Sequence, residues 1–291
     1  MMALSEHLPA QGDSEIHTKA CSPVGVFDSG VGGLSVLGAI HNLLPAETLI
    51  FLADQAHVPY GPRPLEEVRQ FSIAITRYLL AQGAKLIVVA CNAASAASLH
   101  HLRRVFPKVP FVGMEPAVKP AAEGTQTGVV GVLATPATFQ GALYASVIER
   151  FARGVTVLQD TCPGLVGQIE AGQLSAPQTR RILERALQPM LSRGIDTIVL
   201  GCTHYPFVIP MIEDIAGPGV RVIDPAPAIA RQVSRMLEQH CLRCAAPPAG
   251  APLRILTSGN VDCLKGLLPR LLGRSVPVFR VTWRAGEVLE L

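Results

Sequence analysis

The chain has 291 residues, 49% of them apolar and 16% charged. That is enough apolar material for one large domain or two of ordinary size, and it excludes disorder as the dominant state. Twenty-five basic against 22 acidic residues leave a formal charge of +3, too balanced for a dedicated nucleic-acid binder. The longest uncharged stretch, Gly124 to Ile148, is interrupted by Gln126, Pro136 and Gln140 and does not read as a membrane span. The first residues carry Glu6, Asp13 and Glu15 and no continuous apolar run, so no secretory signal is expected.

Seven cysteines scattered over this length are not the dense, even set of a secreted disulfide scaffold. A cytoplasmic protein with thiols available for chemistry is expected. Cys241-Leu-Arg-Cys244 is a CxxC pair, but it has no second pair and opens a Pro/Ala-rich run to Pro252. It reads as linker thiols rather than as a metal or redox site.

Residues 1 to 22 have no periodicity and read as a tail, poorly ordered alone. Strands and helices then alternate. Val24 to Phe27 is a short apolar strand that breaks into Asp28-Ser29-Gly30-Val31-Gly32-Gly33, followed by helical spacing at Leu34, Leu37 and Ile40. Thr48 to Leu52 is a second strand. Leu65, Val68, Phe71, Ile75 and Leu79 mark an amphipathic helix with Pro64 at its start. Leu86 to Val89 is a buried-type strand ending at Cys91-Asn92, and Ser95 to Val105 reads as helix.

After a strand around Phe111 the pattern restarts. It gives a strand at Val129 to Leu133, a helix at Thr138 to Phe151, a strand at Val155 to Leu158, a helical stripe from Ile182 to Met190, and a strand at Ile198 to Leu200 ending at Cys202-Thr203. The last third predicts strands at Val220 to Ile223, Leu253 to Leu256 and Val276 to Val281. Helices pass through Ile229 to Leu237 and Leu264 to Leu272. Such alternation with short connections predicts parallel sheets covered by helices.

Two stretches look like copies. Gly25-Val26-Phe27-Asp28-Ser29 lies on Gly131-Val132-Leu133-Ala134-Thr135, and Ile87 to Asn92 lies on Ile198 to Thr203 at nearly the same offset. This predicts two α/β halves of similar topology, each offering a cysteine at the carboxyl end of a strand. In such sheets ligands sit outside those ends. A helix N-terminus there favours thiolate, and two cysteines in equivalent contexts argue against apolar filler. Gly30-Val31-Gly32-Gly33 lacks the spacing of a dinucleotide loop; it reads as a strand-to-helix turn whose N–H groups can receive a carboxylate. Asp28 as a bare helix cap, His204 as a packed core histidine and Glu170 as a solvated helix residue stay open on spacing alone.

Five segments together resemble glutamate racemase, a branch of the cofactor-independent aspartate/glutamate racemases. They are Phe27 to Leu34, Val58-Pro59-Tyr60-Gly61, Ala90-Cys91-Asn92, Thr135-Pro136-Ala137-Thr138 and Leu200-Gly201-Cys202-Thr203-His204-Tyr205-Pro206. The resemblance runs from about Val24 to Val281. It implies two similar parallel-sheet α/β domains with the active site in the cleft between them: residues 23–116 plus 225–291 in the first, 117–224 in the second. It implies glutamate as the small-molecule substrate, no cofactor and no metal, a homodimer, and D-glutamate supply for peptidoglycan. By position it makes Cys91 and Cys202 the catalytic thiols, with Asp28, His204 and Glu170 assisting. It makes Asp28 with Ser29, Tyr60 with Gly61, Asn92 with Ala93, and Thr203 with His204 the substrate-binding pairs. In this reading Cys91 takes the proton from D-glutamate and Cys202 from L-glutamate.

Two departures stand out. Ala93 replaces the family threonine, and Gly164 and Gly167 loosen the helix expected to carry Glu170, by about 1 kcal/mol each relative to Ala. An aspartate racemase and a non-catalytic binding protein on the same fold are the alternatives; Tyr205 after Cys-Thr-His favours the glutamate branch.

Overall fold

The computed structural model describes residues 20–244 and 253–290. Most of the expected tail and of the Pro/Ala-rich run lies outside the described residues.

Continuous apolar runs form the central strands. β1 (Val24–Asp28), β2 (Leu49–Ala53), β3 (Leu86–Val89) and β7 (Thr197–Gly201) are buried along their whole length, as strands covered on both faces must be. With β4 (Phe111–Gly113), β5 (Val129–Ala134), β6 (Thr156–Asp160), β8 (Arg221–Ile223), β9 (Leu253–Thr257), β10 (Val278–Arg284) and β11 (Glu287–Glu290) they make two sheets. A seven-stranded sheet has the order β11-β10-β9-β2-β1-β3-β4, and a four-stranded sheet has β6-β5-β7-β8. Every pairing is parallel except β10 with β11.

The order β2-β1-β3-β4 matches β6-β5-β7-β8 strand for strand. The register matches too: Gly25 pairs with Ile87 and Phe27 with Val89, while Gly131 pairs with Ile198 and Leu133 with Leu200. These are the residues that the sequence repeat superposes.

Helices α1 (Leu34–Leu43), α2 (Leu65–Ala81), α3 (Asn92–Val105), α4 (Val118–Gly124), α5 (Pro136–Gln140) and α6 (Ala142–Phe151) are followed by α7 (Leu165–Glu170) and α8 (Pro177–Leu191). Then come α9 (Ile209–Ala216), α10 (Ala226–Gln239) and α11 (Val261–Leu271). Three differences from the sequence reading have physical causes. The helix expected over 138–151 is broken at Gly141, where an added Cβ would lie 2.6 Å from the Cβ of Ala96; the chain must pass α3 too closely for a side chain. The last strand continues into a hairpin through Ala285 and Gly286, both at positive φ (51° and 80°), so a charged segment with one buried residue, Val288, adds an antiparallel edge. Cys202 does not sit at the start of an α-helix. Pro206 and Pro210 delay it, and a 3-10 turn (Tyr205–Val208) intervenes before α9. Cys91, by contrast, is the N-cap of α3, which begins three residues earlier than predicted because Ala93 and Ala94 are strong helix formers. No helix among the described residues is long and apolar enough to cross a membrane.

Candidate active site

The carboxyl ends of β1, β3, β5 and β7 converge on one small cavity of about 20 Å³. Ser29 reaches it from β1, and Cys91, Asn92 and Ala93 from β3. Thr135 comes from β5 and Cys202, Thr203 and His204 from β7, while Tyr60 and Gly61 come from the loop after β2. The two sheets thus present their cysteines to the same space. Asp28 and Glu170, the remaining residues singled out above, stand behind this lining. Pro59, Thr135 and Val166 also line it and were given no site role from the sequence. Thr135 was within reach of the sequence, since the repeat superposes it on Ser29.

The glycines of the first turn let the sheets meet. A Cβ on Gly30 would overlap the Glu170 carboxylate, and one on Gly32 would overlap His204 and Thr203. The Val31 N–H does receive a carboxylate, as the turn suggested, but it is that of Glu170 at 2.7 Å, a group of the protein itself.

Each thiol has its own polar support. Cys202 Sγ lies 3.7 Å from His204 Nδ1, and His204 Nε2 lies 2.6 Å from Glu170 Oε1. Gln55 Nε2 donates to Glu170 Oε2 at 2.9 Å. The short α7 carries Glu170 at its last position, and Gly164, at φ 90°, supplies the left-handed entry to it. Burial disfavours the Glu170 carboxylate, yet its hydrogen bonds and the charge of His204 hold it below the ordinary range. Burial also works against the His204 cation, but Cys202 and Glu170 raise it well above the ordinary 6.5.

On the other side, Cys91 Sγ lies 3.9 Å from Ser29 Oγ. Ser29 donates to Asp28 Oδ1 at 3.0 Å, and Thr203 Oγ1 donates across to Asp28 Oδ2 at 2.7 Å. Asp28 is not merely a helix cap. Burial raises its carboxyl, opposed by the charge of His204 and by hydrogen bonds from Thr203, Gly30 and Ser29. The expectation that a helix N-terminus favours a Cys91 thiolate is corrected here. Burial pushes the Cys91 thiol up and the Asp28 charge adds to it, which outweighs the hydrogen bond from the Ala94 N–H.

Two ligand-binding assignments differ in kind. The Asn92 side chain is 3% exposed in total, and neither its Oδ1 nor its Nδ2 has a hydrogen-bond partner. A buried amide left unpaired costs about 1–3 kcal/mol, so it marks a place where a polar ligand would be held. The Tyr60 hydroxyl is already committed, donating to Asp54 Oδ2 at 2.6 Å. Tyr60 therefore offers the cavity a ring and backbone rather than a hydroxyl. Ala93 contributes only a methyl.

The arrangement can move a proton at each of two thiols facing one small space. The family profile described as Asp/Glu/Hydantoin racemase matches residues 24–233. The glutamate racemase of Ectopseudomonas mendocina is 51% identical over 88% of this chain and 97% of its own length. The chain belongs to the glutamate racemase family. The glutamate racemase of Roseiflexus sp. is 49% identical over 87% of this chain and 93% of its own length. Among solved family members, the Escherichia coli glutamate racemase in complex with L-glutamate and the activator UDP-MurNAc-Ala superposes with a TM-score of 0.79 at 32% identity, covering 92% of this chain and 99% of that one. That of Thermus thermophilus with β-chloro-D-alanine gives 0.76 at 37% identity, with 90% and 98% covered.

Proposed function

We propose that this protein interconverts L- and D-glutamate by proton transfer between two cysteines, without a cofactor, and supplies D-glutamate for peptidoglycan in the cytoplasm. The observation that carries the reading is that Cys91 and Cys202, contributed by different sheets, line one cavity. Inverting a carbon requires removal of a proton from one face and delivery to the other, and one base cannot readily serve both. In this reading the units are residues 23–116 with 225–291, and residues 117–224, and glutamate lies between them.

Cys202 as thiolate takes the α-proton of L-glutamate while Cys91 as thiol delivers one to the opposite face; for D-glutamate the roles exchange. His204, held by Glu170, stabilises the Cys202 thiolate, and Ser29 with Asp28 sits beside Cys91 to move its proton. The unpaired Asn92 amide and the backbone N–H groups near Gly61, Ala93 and Thr203 receive the carboxylates and the charge that develops on the α-carboxylate.

The test is exchange in D₂O. Each glutamate enantiomer, given to protein treated with chelator and freed of pyridoxal phosphate, takes up solvent deuterium at Cα as it racemises. Aspartate run in parallel decides the alternative substrate. Activity that requires added pyridoxal phosphate sinks the two-thiol mechanism, and preferential turnover of aspartate sinks the glutamate assignment.

A further inference from the structure

Cys21 and Cys244 are 223 residues apart in sequence, and their Sγ atoms are 3.5 Å apart. The contact lies near the amino ends of the strands, the face of the sheet opposite the catalytic thiols. Cys21 lies three residues before the start of β1, an interior strand, and Cys244 follows the turn that ends α10. The CxxC spacing pairs Cys244 with Cys241, but the fold gives it Cys21 instead, and Cys241 is exposed at positive φ (53°).

Buried groups hold this contact in place. Lys85 and Glu47 form an ion pair at 2.5 Å with side chains 1% and 2% exposed. The Lys85 ammonium also donates to the Ala20 carbonyl, and its backbone N–H donates to the Pro23 carbonyl at 2.9 Å. Cys21 is bracketed by these two anchors. The other Glu47 oxygen accepts the Cys244 N–H at 2.8 Å. Leu242 packs on the core, and its N–H returns to the Leu237 carbonyl at 2.8 Å. Breaking a buried pair strands an uncompensated charge, so the pair resists separation. The ion pair therefore fixes both cysteine-bearing segments against one another.

We propose that Cys21 and Cys244 form an oxidisable dithiol, which a low-molecular-weight disulfide of the glutathione class converts into an internal disulfide. Cys21 is exposed and Cys244 is buried, which sets the order of events. The Cys21 thiolate attacks one sulfur of the incoming disulfide; that S–S bond breaks and the first small thiolate leaves to be protonated. The Cys244 thiol then gives up its proton and attacks the Cys21 sulfur of the mixed disulfide, expelling the second small thiolate. Two protein thiols and one small disulfide become one protein disulfide and two small thiols. The sulfurs need to approach by roughly 1.5 Å to reach bonding distance. The bond closes a long loop and ties the lead-in of β1 to the exit of α10. It restricts the unfolded chain and leaves the catalytic face untouched.

The test uses the full chain, reduced and then incubated with oxidised glutathione without denaturant. After alkylation it is digested without reduction and mapped by mass spectrometry. The expected result is that the peptides carrying Cys21 and Cys244 are joined as the major internal disulfide. Oxidation also raises the thermal midpoint, and Cys21→Ser abolishes both effects. A dominant Cys241–Cys244 disulfide, a persistent glutathione adduct at Cys21, or an equal rise of the midpoint in Cys21→Ser overturns the proposal.

Discussion

Gln55, after β2 of the seven-stranded sheet, donates a hydrogen bond of 2.9 Å to Glu170, which ends α7 between β6 and β7 of the four-stranded sheet. Its own orientation is fixed by the Thr257 hydroxyl, which donates to Gln55 Oε1 at 2.8 Å. A chain of polar contacts thus runs from Thr257 through Gln55, Glu170 and His204 to Cys202, linking the seven-stranded sheet to the cysteine of the four-stranded one. Removing the amide with Gln55→Leu loses a hydrogen bond to a charged group, a net contribution of about 1.5–3 kcal/mol. We expect kcat/KM to fall by roughly tenfold or more. The fall must be equal for both enantiomers, because mirror-image substrates have equal energy in water. The α-deuterium isotope effect is expected to grow for L-glutamate alone, whose proton Cys202 takes in the proposed mechanism. Equal growth for both enantiomers would show that Gln55 acts on the fold and not through Glu170.

In the proposed mechanism, single replacement of either thiol removes one of two obligatory proton carriers. Cys91→Ala and Cys202→Ala are each expected to lose racemisation by several orders of magnitude. Initial-rate polarimetry with both enantiomers measures it. A variant that keeps more than roughly a tenth of the rate has lost only about 1.4 kcal/mol of barrier stabilisation, too little for a removed base, and its cysteine would leave the mechanism.

Asn92 separates stability from activity. Its buried, unpaired amide burdens the fold by about 1–3 kcal/mol. Asn92→Leu removes that burden while keeping the branching at Cγ, so the thermal midpoint rises while kcat/KM for glutamate falls by roughly a hundredfold. A midpoint that drops together with the activity would assign Asn92 to packing instead of to substrate.

The His204–Glu170 pair gives stability a definite pH window. The His204 value is raised, so its contribution is full below about 6.5 and is lost as pH rises through the higher folded value. The Glu170 value is lowered, so its contribution is present above about 4.5 and is lost as pH falls through the lower folded value. The difference in thermal midpoint between the parent and His204→Asn is therefore expected to be greatest in the window between. It shrinks first on the alkaline side, as the imidazolium deprotonates. A difference that stays constant through the alkaline range contradicts a charged His204.

Much of this site was legible because strands buried on both faces write themselves as apolar runs. The runs at Val24, Leu86 and Ile198 located the strand ends that carry Asp28, Cys91 and Cys202, and the repeat showed that the two cysteines occupy matching places. Glu170 was legible only by resemblance, since a six-residue helix holding Gly167 has little periodicity of its own. Gln55 carries no local signal, for its partner lies 115 residues away and its role arises from closure of the cleft. The hairpin at Glu287–Glu290 was missed because one buried valine among charged residues gives too little alternation.

The cavity between the thiols holds about one water molecule, far less than glutamate fills. The chain crosses from one sheet to the other between β4 and β5 and back between β8 and β9, near Pro116 and Pro225. In the proposed reading these two crossings are the hinge on which the sheets part. Each turnover in the proposed reaction then requires such a swing. The bonds from Gln55 and Val31 to Glu170, and from Thr203 to Asp28, span the opening and must break with it. In that reading substrate meets a site whose bases are re-armed by the same movement that shuts out solvent, and the time spent opening for product sets a ceiling on kcat that no improvement in the proton transfer can lift.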